Sequence, residues 1–186
     1  MTISKENGEY LLKIAKQSIE TYLKDGVEIE VPSDCPDELK EKLGVFCTLN
    51  KYGELRGCIG FIDGYFPVVD ATIKVAISAA TEDPRFPPLT LDELNDIDLE
   101  ITILTKPELI EVNKPEEYLE KIIIGEDGLI VQKGLKRGLL LPQVATENSM
   151  DTKEFLEHTC IKAYLKEDSW LEENTEVFKF QGQVFK

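Results

Sequence analysis

Hydrophobic positions recur along the chain in two rhythms, a helical one and a strand-like one. Tyr10 to Leu23 carries Leu11, Ala15, Ile19 and Tyr22 on one stripe, widened by Leu12 and Leu23, and Gly26 follows as a stop signal. Phe66 to Glu82 repeats the helical rhythm: Val68, Val69, Ile73, Ala76, Ile77, Ala79 and Ala80 fall on one broad face. DPRFPPL then breaks it with three prolines. Asp151 to Tyr164 predicts the last long helix, opened by a capping box of Asp151 and Glu154. Strict alternation marks Ile97 to Thr105, with Ile97, Leu99, Ile101 and Ile103 facing inward. Val27 to Val31, Leu135 to Leu141 and Glu176 to Phe185 read as further strands. Ile122 to Ile124 and Leu129 to Val131 flank GEDG as a hairpin. KPEEYLEK and PQVATEN predict short helices opened by proline.

The most readable hairpin is GVFCTLNKYGELRGCIGF. A three-residue loop over Lys51, Tyr52 and Gly53 sets Asn50 against Glu54, Phe46 against Cys58 and Cys47 against Gly57. Val45, Cys47, Leu49, Leu55, Ile59 and Phe61 then share an apolar face. Thr48, Arg56, Cys58 and Gly60 share the other with Phe46. Strands and helices mix without a βαβ rhythm, which predicts an α+β fold with a mainly antiparallel sheet flanked by helices.

Composition narrows the function classes. The 186 residues suit one domain, residues 1–186, and 42% are hydrophobic, enough for a core without metal or disulfide staples. No apolar run approaches the roughly 18 residues of a membrane span, and MTISKENGEYLLK lacks a signal-peptide core, so a cytoplasmic protein without membrane contact is expected. A formal charge of −15 disfavours nucleic acid as a partner. Four cysteines, Cys35, Cys47, Cys58 and Cys160, show no CxxC spacing and read as reduced thiols. His158, the only histidine, sits two residues from Cys160; on a helix that is roughly 200° apart, so the two cannot clamp one ion. Cys160 falls on the apolar face of its helix and His158 opposite. No metal or cofactor is called for: the phosphate-cradling glycine motifs and HExxH are absent.

The basic residues hold the better clue. Of 21, only Arg56, Arg85 and Arg137 are arginine, and each lies in a Gly- or Pro-rich segment: LRGCIG, DPRFPPL and KRGLLLP. An arginine kept in a chain that otherwise uses lysine suggests a need for the planar five-donor fork; ordinary Arg–carboxylate pairs in an acidic protein explain it equally well. Arg56 and Cys58 alternate on one strand face, roughly 6.5–7 Å apart. Gly57 and Gly60 add no side-chain bulk, so a ligand or another backbone can come close. That suits a nucleophilic thiolate, an anion seat, or a packed strand with Cys58 as a small hydrophobe. Glu100 qualifies as a base only if its strand lies alongside.

LRGCIG (Leu55 to Gly60), the Ala-rich helix running into EDPRFPPLTLDEL, and RGLLLPQVA followed by FLEHTCIKA occur in that order. Together they resemble the AMMECR-type domain, over nearly the whole chain from about Tyr10. The resemblance implies two unequal lobes with a cleft between them, the smaller an insertion in the N-terminal half, and LRGCIG as the signature. It also implies company with radical-SAM and Memo-like proteins as pathway partners. Tyr164 stands where the family pattern leads one to expect glycine.

Two functions stay open at this point. One is a binding module for a small anionic or peptide-like ligand, using Arg56, Gly57, Gly60, Arg85 and Arg137. The other is an enzyme with Cys58 as nucleophile.

Overall fold

The computed structural model describes residues 3–186. Its elements in chain order are α1 (Lys5–Asp25), β1 (Val45–Lys51), β2 (Glu54–Phe61), α2 (Val68–Thr81), β3 (Ile97–Leu104), β4 (Glu108–Leu109), α3 (Tyr118–Lys121), β5 (Asp127–Lys133), β6 (Lys136–Leu140), α4 (Pro142–Glu147), α5 (Thr152–Lys162) and β7 (Glu176–Phe185). Short 3-10 turns precede β1, β3, α3 and β7. The fold is α+β and its pairings are antiparallel. Two compact units divide the chain: the first runs to Leu104 and resumes at Gln183–Lys186, and the second is Thr105–Gly182. The second unit thus lies, in chain order, between the two stretches of the first.

In the first unit β1 lies between β2 and β3, with β2 at the sheet's edge. Helix α2 packs on β1 and β2, and α1 on β3 and α2. Leu11, Ala15 and Ile19 of α1, Ile73 and Ala76 of α2, and Val45, Cys47, Leu49 and Ile101 of the strands fill the core. Helix α1 starts earlier than its apolar stripe, because the Ser4 side chain accepts from the Asn7 N–H and caps it; Gly26, at φ 70°, ends it. Val27 to Val31 forms no strand: Val27 and Val31 are exposed and pair with no strand among the described residues.

The β1–β2 hairpin departs from the expected register. Its loop is the two-residue Tyr52-Gly53 turn, both at positive φ, so Lys51 faces Glu54 and Thr48 faces Cys58. Leu49 faces Gly57 while Asn50 faces Leu55, which makes Arg56 the extra residue of a β-bulge. The offset from the expected pairing is two residues beyond the bulge, and side chains repeat every two residues, so most face assignments survive. Leu55 is the exception; the bulge turns it off the core face and it is exposed.

In the second unit β5 lies between β6 and β7, and β4 pairs with β7. Helices α4 and α5 pack on β5, and α5 also on β6. Leu129, Val131, Phe155, Leu156, Cys160, Trp170 and Val177 form the core. The Asp151–Glu154 capping box forms as its spacing requires. GEDG is not a hairpin. The Asp127 backbone N–H donates to the Ile123 carbonyl and the Asp127 carboxylate accepts from the Ile123 N–H, closing a tight turn that leaves Ile122 to Ile124 outside the sheet.

Tyr164 follows α5 at φ 57°, in the left-handed region, while the Leu165 N–H reaches back to the Cys160 carbonyl. A side chain there costs about 1–2 kcal/mol, and this one is 86% exposed, so little burial offsets it. Replacing Tyr164 by Gly is expected to raise unfolding stability by about 0.5–1 kcal/mol, after the entropy that glycine adds to the unfolded chain. A urea melt of the variant checks this; a lower midpoint would mean that the Tyr164 ring contributes packing that outweighs the strain.

Candidate functional site

Three segments of the first unit meet at Cys58: strands β1 and β2, and the proline-rich loop after α2. Because β2 is the sheet's edge, one side of its backbone has no strand partner. At Cys58 that side is capped by the loop. The Cys58 N–H donates to Asp83 Oδ2 at 2.8 Å, and Arg85 Nη2 donates to the Cys58 carbonyl at 3.3 Å. Both polar backbone groups therefore point away from β1, which makes Thr48–Cys58 a non-hydrogen-bonded pair, the closer kind. Thr48 Oγ1 accordingly donates to Cys58 Sγ at 3.4 Å.

Asp83 and Arg85 hold each other in a fork. Arg85 Nε donates to Asp83 Oδ1 at 2.9 Å and Nη2 to Oδ2 at 2.7 Å, and the Arg85 backbone N–H adds a bond to Oδ1. The Asp83 side chain is 2% exposed and that of Arg85 53%. Hydrogen bonds from Arg85 and from the Cys58 N–H hold the Asp83 carboxyl well below the usual carboxylate range, against the opposing effect of burial. Arg85 Nη1 has no acceptor among the described residues.

Arg56 is placed differently from the expectation that it faces the thiol. The bulge sends its guanidinium to Glu93, with Nη2–Oε2 at 3.1 Å, and to the Pro87 carbonyl, from Nη1 at 2.9 Å. Its side chain is 12% exposed and all three of its nitrogens have acceptors within the chain. Glu93 also accepts from Lys51 Nζ at 2.9 Å and from the Thr90 N–H. These bonds, the Lys51 one first, lower the Glu93 carboxyl to about 2. Of the two arginines, Arg85 is the one that contacts Cys58, through its backbone carbonyl.

The two glycines have packing roles. A Cβ on Gly57 would come within 2.3 Å of the Ala79 carbonyl oxygen of α2, and one on Gly60 within 2.3 Å of the Phe46 ring. The close approach expected at these glycines is made by the chain itself. Glu100 does lie in the same cross-strand row, since Thr48 pairs with Cys58 on one side and Glu100 on the other. Two strand spacings of about 4.8 Å separate Glu100 from Cys58, and Glu100 is bonded to Lys186 at 2.9 Å. Arg137 stands on β6 of the second unit, opposite Gln132, and enters none of these hydrogen bonds. His158 is exposed in that unit.

Of the four thiols, only Cys58 escapes burial. Cys47 lies on the core face, where desolvation pushes its thiol far up; Cys160 is pushed up to about 11 for the same reason. Among the described residues no group of three or more His, Cys, Asp or Glu side chains is placed to hold a metal ion, and no helix is long and apolar enough to cross a membrane.

Asp83, Glu93 and Pro87 were absent from the sequence-based site. The available signal was the Asp-x-Arg spacing of DPR directly after a helix, which places a carboxylate and a guanidinium on one tight turn.

Comparison with known proteins agrees with this architecture. The AMMECR1 family model matches residues 12–185. Protein PF1979 of Pyrococcus furiosus is 54% identical over 98% of this chain and 89% of its own. Protein MJ0810 of Methanocaldococcus jannaschii is 50% identical over 97% of this chain and 90% of its own. The crystal structure of the uncharacterized protein PH0010 from Pyrococcus horikoshii superposes with a TM-score of 0.86 at 53% identity, covering 98% of this chain and 92% of that one. These names state no reaction, so function rests on the chemistry of the site.

Asp83 and Glu93 titrate lower in the folded chain than unfolded, so protonating them favours unfolding. Their stabilisation is fully present above about pH 5 and is lost progressively as pH falls, for Glu93 toward about 2 and for Asp83 lower still. The urea midpoint is therefore expected to fall more steeply between pH 4.5 and 2.5 in the natural chain than in Glu93→Gln. Parallel slopes would mean that Glu93 is not held by Lys51 and Arg56 in solution.

Proposed function

We propose that this chain, which belongs to the AMMECR1 family, binds a small anionic ligand, or the carboxylate of a peptide-like one, against Arg85 beside Cys58. The observation that carries the reading is the contrast between the two arginines of the first unit. Arg56 is spent on Glu93 and Pro87, whereas Arg85 is half exposed with both Nη1 donors unused. A guanidinium fixed on one side by a buried carboxylate and open on the other loses little side-chain entropy when an anion arrives. Cys58 and Thr48 would line the adjoining surface, and Arg56 acts as a positioning residue that ties β2 to the loop.

A thiol nucleophile asks for more. It needs a proton acceptor within hydrogen-bond reach. Glu100 is two strands away and bonded to Lys186. The thiol's own partner, Thr48, is a donor. Binding therefore needs fewer unobserved parts than catalysis, and the Arg85 face is the place to test it.

Cys58 supplies a built-in reporter. Being the one thiol not buried, it is expected to take up a single alkyl group in the native chain, read by intact mass. The ratio of its rates with iodoacetate and iodoacetamide compares an anion with a neutral molecule of similar shape, and the thiolate fraction cancels. A fixed cation about 4 Å from the reagent's carboxylate is worth about 1 kcal/mol in near-aqueous surroundings, about fivefold in rate. Arg85→Gln is expected to lower that ratio about fivefold and Arg85→Lys to retain much of it. A ratio unmoved by Arg85→Gln would rule out an anion seat there.

A further inference from the structure

A second concave surface lies in the same unit, built by α1, the tip of the β1–β2 hairpin and the start of β3. It encloses about 630 Å³, within the range of small-molecule sites, and none of its lining residues is Cys58, Asp83 or Arg85. Leu12, Ile97 and Leu99 provide apolar walls. All three are only partly buried, so apolar surface remains open to the solvent.

The charge on this groove is unusual for the chain. The protein as a whole carries −15, yet Lys13, Lys16 and Lys186 gather at the groove against Asp98 and Glu100. Lys186 and Glu100 neutralise each other at 2.9 Å. That leaves two lysines facing one carboxylate, Asp98. Lys13 and Lys16 are exposed one helical turn apart on α1, and no hydrogen bond or ion pair holds either ammonium among the described residues. Glu20, one helical turn beyond Lys16, is itself bonded to Lys24 at 2.5 Å. Two ammonium groups against one carboxylate, beside open apolar walls, match one kind of small molecule: an anionic head joined to an apolar body. The head would sit in the field of Lys13 and Lys16, and the body would cover Leu12, Ile97 and Leu99.

We infer that this groove is a binding site for an amphiphilic anion of the fatty-carboxylate class. The site stands apart from the anion seat at Arg85, and either reading can fail without the other. Both sides of the match are needed. A short carboxylate lacks the body, and an alkyl cation of equal length meets the wrong charge.

The test uses the ¹⁵N-labelled full chain with sodium decanoate as the probe, below its micellar concentration. Saturable amide shifts are expected at Leu12, Lys13, Lys16 and Ile97 to Glu100. Sodium butyrate and the Lys13→Glu/Lys16→Glu variant are each expected to bind at least tenfold more weakly, and decyltrimethylammonium to give no saturable shift at these amides. Both substituted lysines are exposed on α1, and the variant's own spectrum reports whether it is folded. The inference is overturned if decanoate leaves these amides unmoved, if the variant binds within twofold of the natural chain, or if the alkyl cation produces the same shifts.

Discussion

The free edge of β2 sets the problem that the first unit has to solve. An unpaired strand edge presents N–H and C=O groups that need partners and invites pairing with another chain. At Cys58 the chain answers with one side-chain pair: Asp83 accepts from the N–H and Arg85 donates to the carbonyl. Neither residue could do this alone. A lone carboxylate as buried as Asp83 would be costly to keep charged, and a lone arginine would leave the N–H without an acceptor. Locked to each other by two further bonds, they become a rigid cap that fits both backbone groups at once.

The same cap brings chemistry to the edge. Prolines after α2 forbid further helix, so the chain turns back along β2, and the Leu89 N–H returns to the Ala80 carbonyl. Arg56, pushed out by the bulge, closes the far end of that loop through Glu93 and the Pro87 carbonyl. Gly57, between the two anchors, lets α2 press onto the strand backbone. The LRGCIG run is thus mostly a device for docking one loop and one helix onto an edge strand. Its consequence is that a partly exposed thiol and a half-exposed guanidinium face solvent side by side.

Periodicity was enough to place the helices and strands that keep a distinct polar stripe. Helix α2, β3 and α5 lie within two or three residues of their apolar rhythms; α2, buried between α1 and the sheet, still leaves Asp70, Lys74, Ser78 and Thr81 as its one partly exposed stripe. It failed where geometry, and not burial, decides. A two-residue and a three-residue loop both satisfy Asn50 to Glu54, and only the bulge at Arg56 reconciles the tight turn with the apolar faces. Val27 to Val31 alternates like a strand but has no partner to pair with. Asp83 was hidden for a different reason. With 36 acidic residues in the chain, no compositional signal separates the buried acid from the solvated ones. Arginine is scarce, and scarcity made Arg56 and Arg85 visible, though it could not tell which of them is used up internally.

That division between the arginines follows from what each position demands. Arg56 must bridge two acceptors of different kinds, a carboxylate and a backbone carbonyl, from one bulged residue. Only a planar fork spans both, since an ammonium is a point donor on a flexible stem. Arg85 must grip both oxygens of Asp83 and still reach the Cys58 carbonyl, which again exceeds what lysine offers. The two requirements are alike in chemistry but unlike in surroundings. Arg56 lies beneath a loop that uses all its nitrogens, whereas Arg85 lies on top of the loop it anchors and turns one nitrogen outward. Under the proposed reading, a side chain that serves structure would also serve recognition at no further cost in folding, because its orientation is already set by the edge it caps. Elsewhere the same unit keeps lysine, as at Lys13 and Lys16 on α1, where no pair of acceptors has to be bridged.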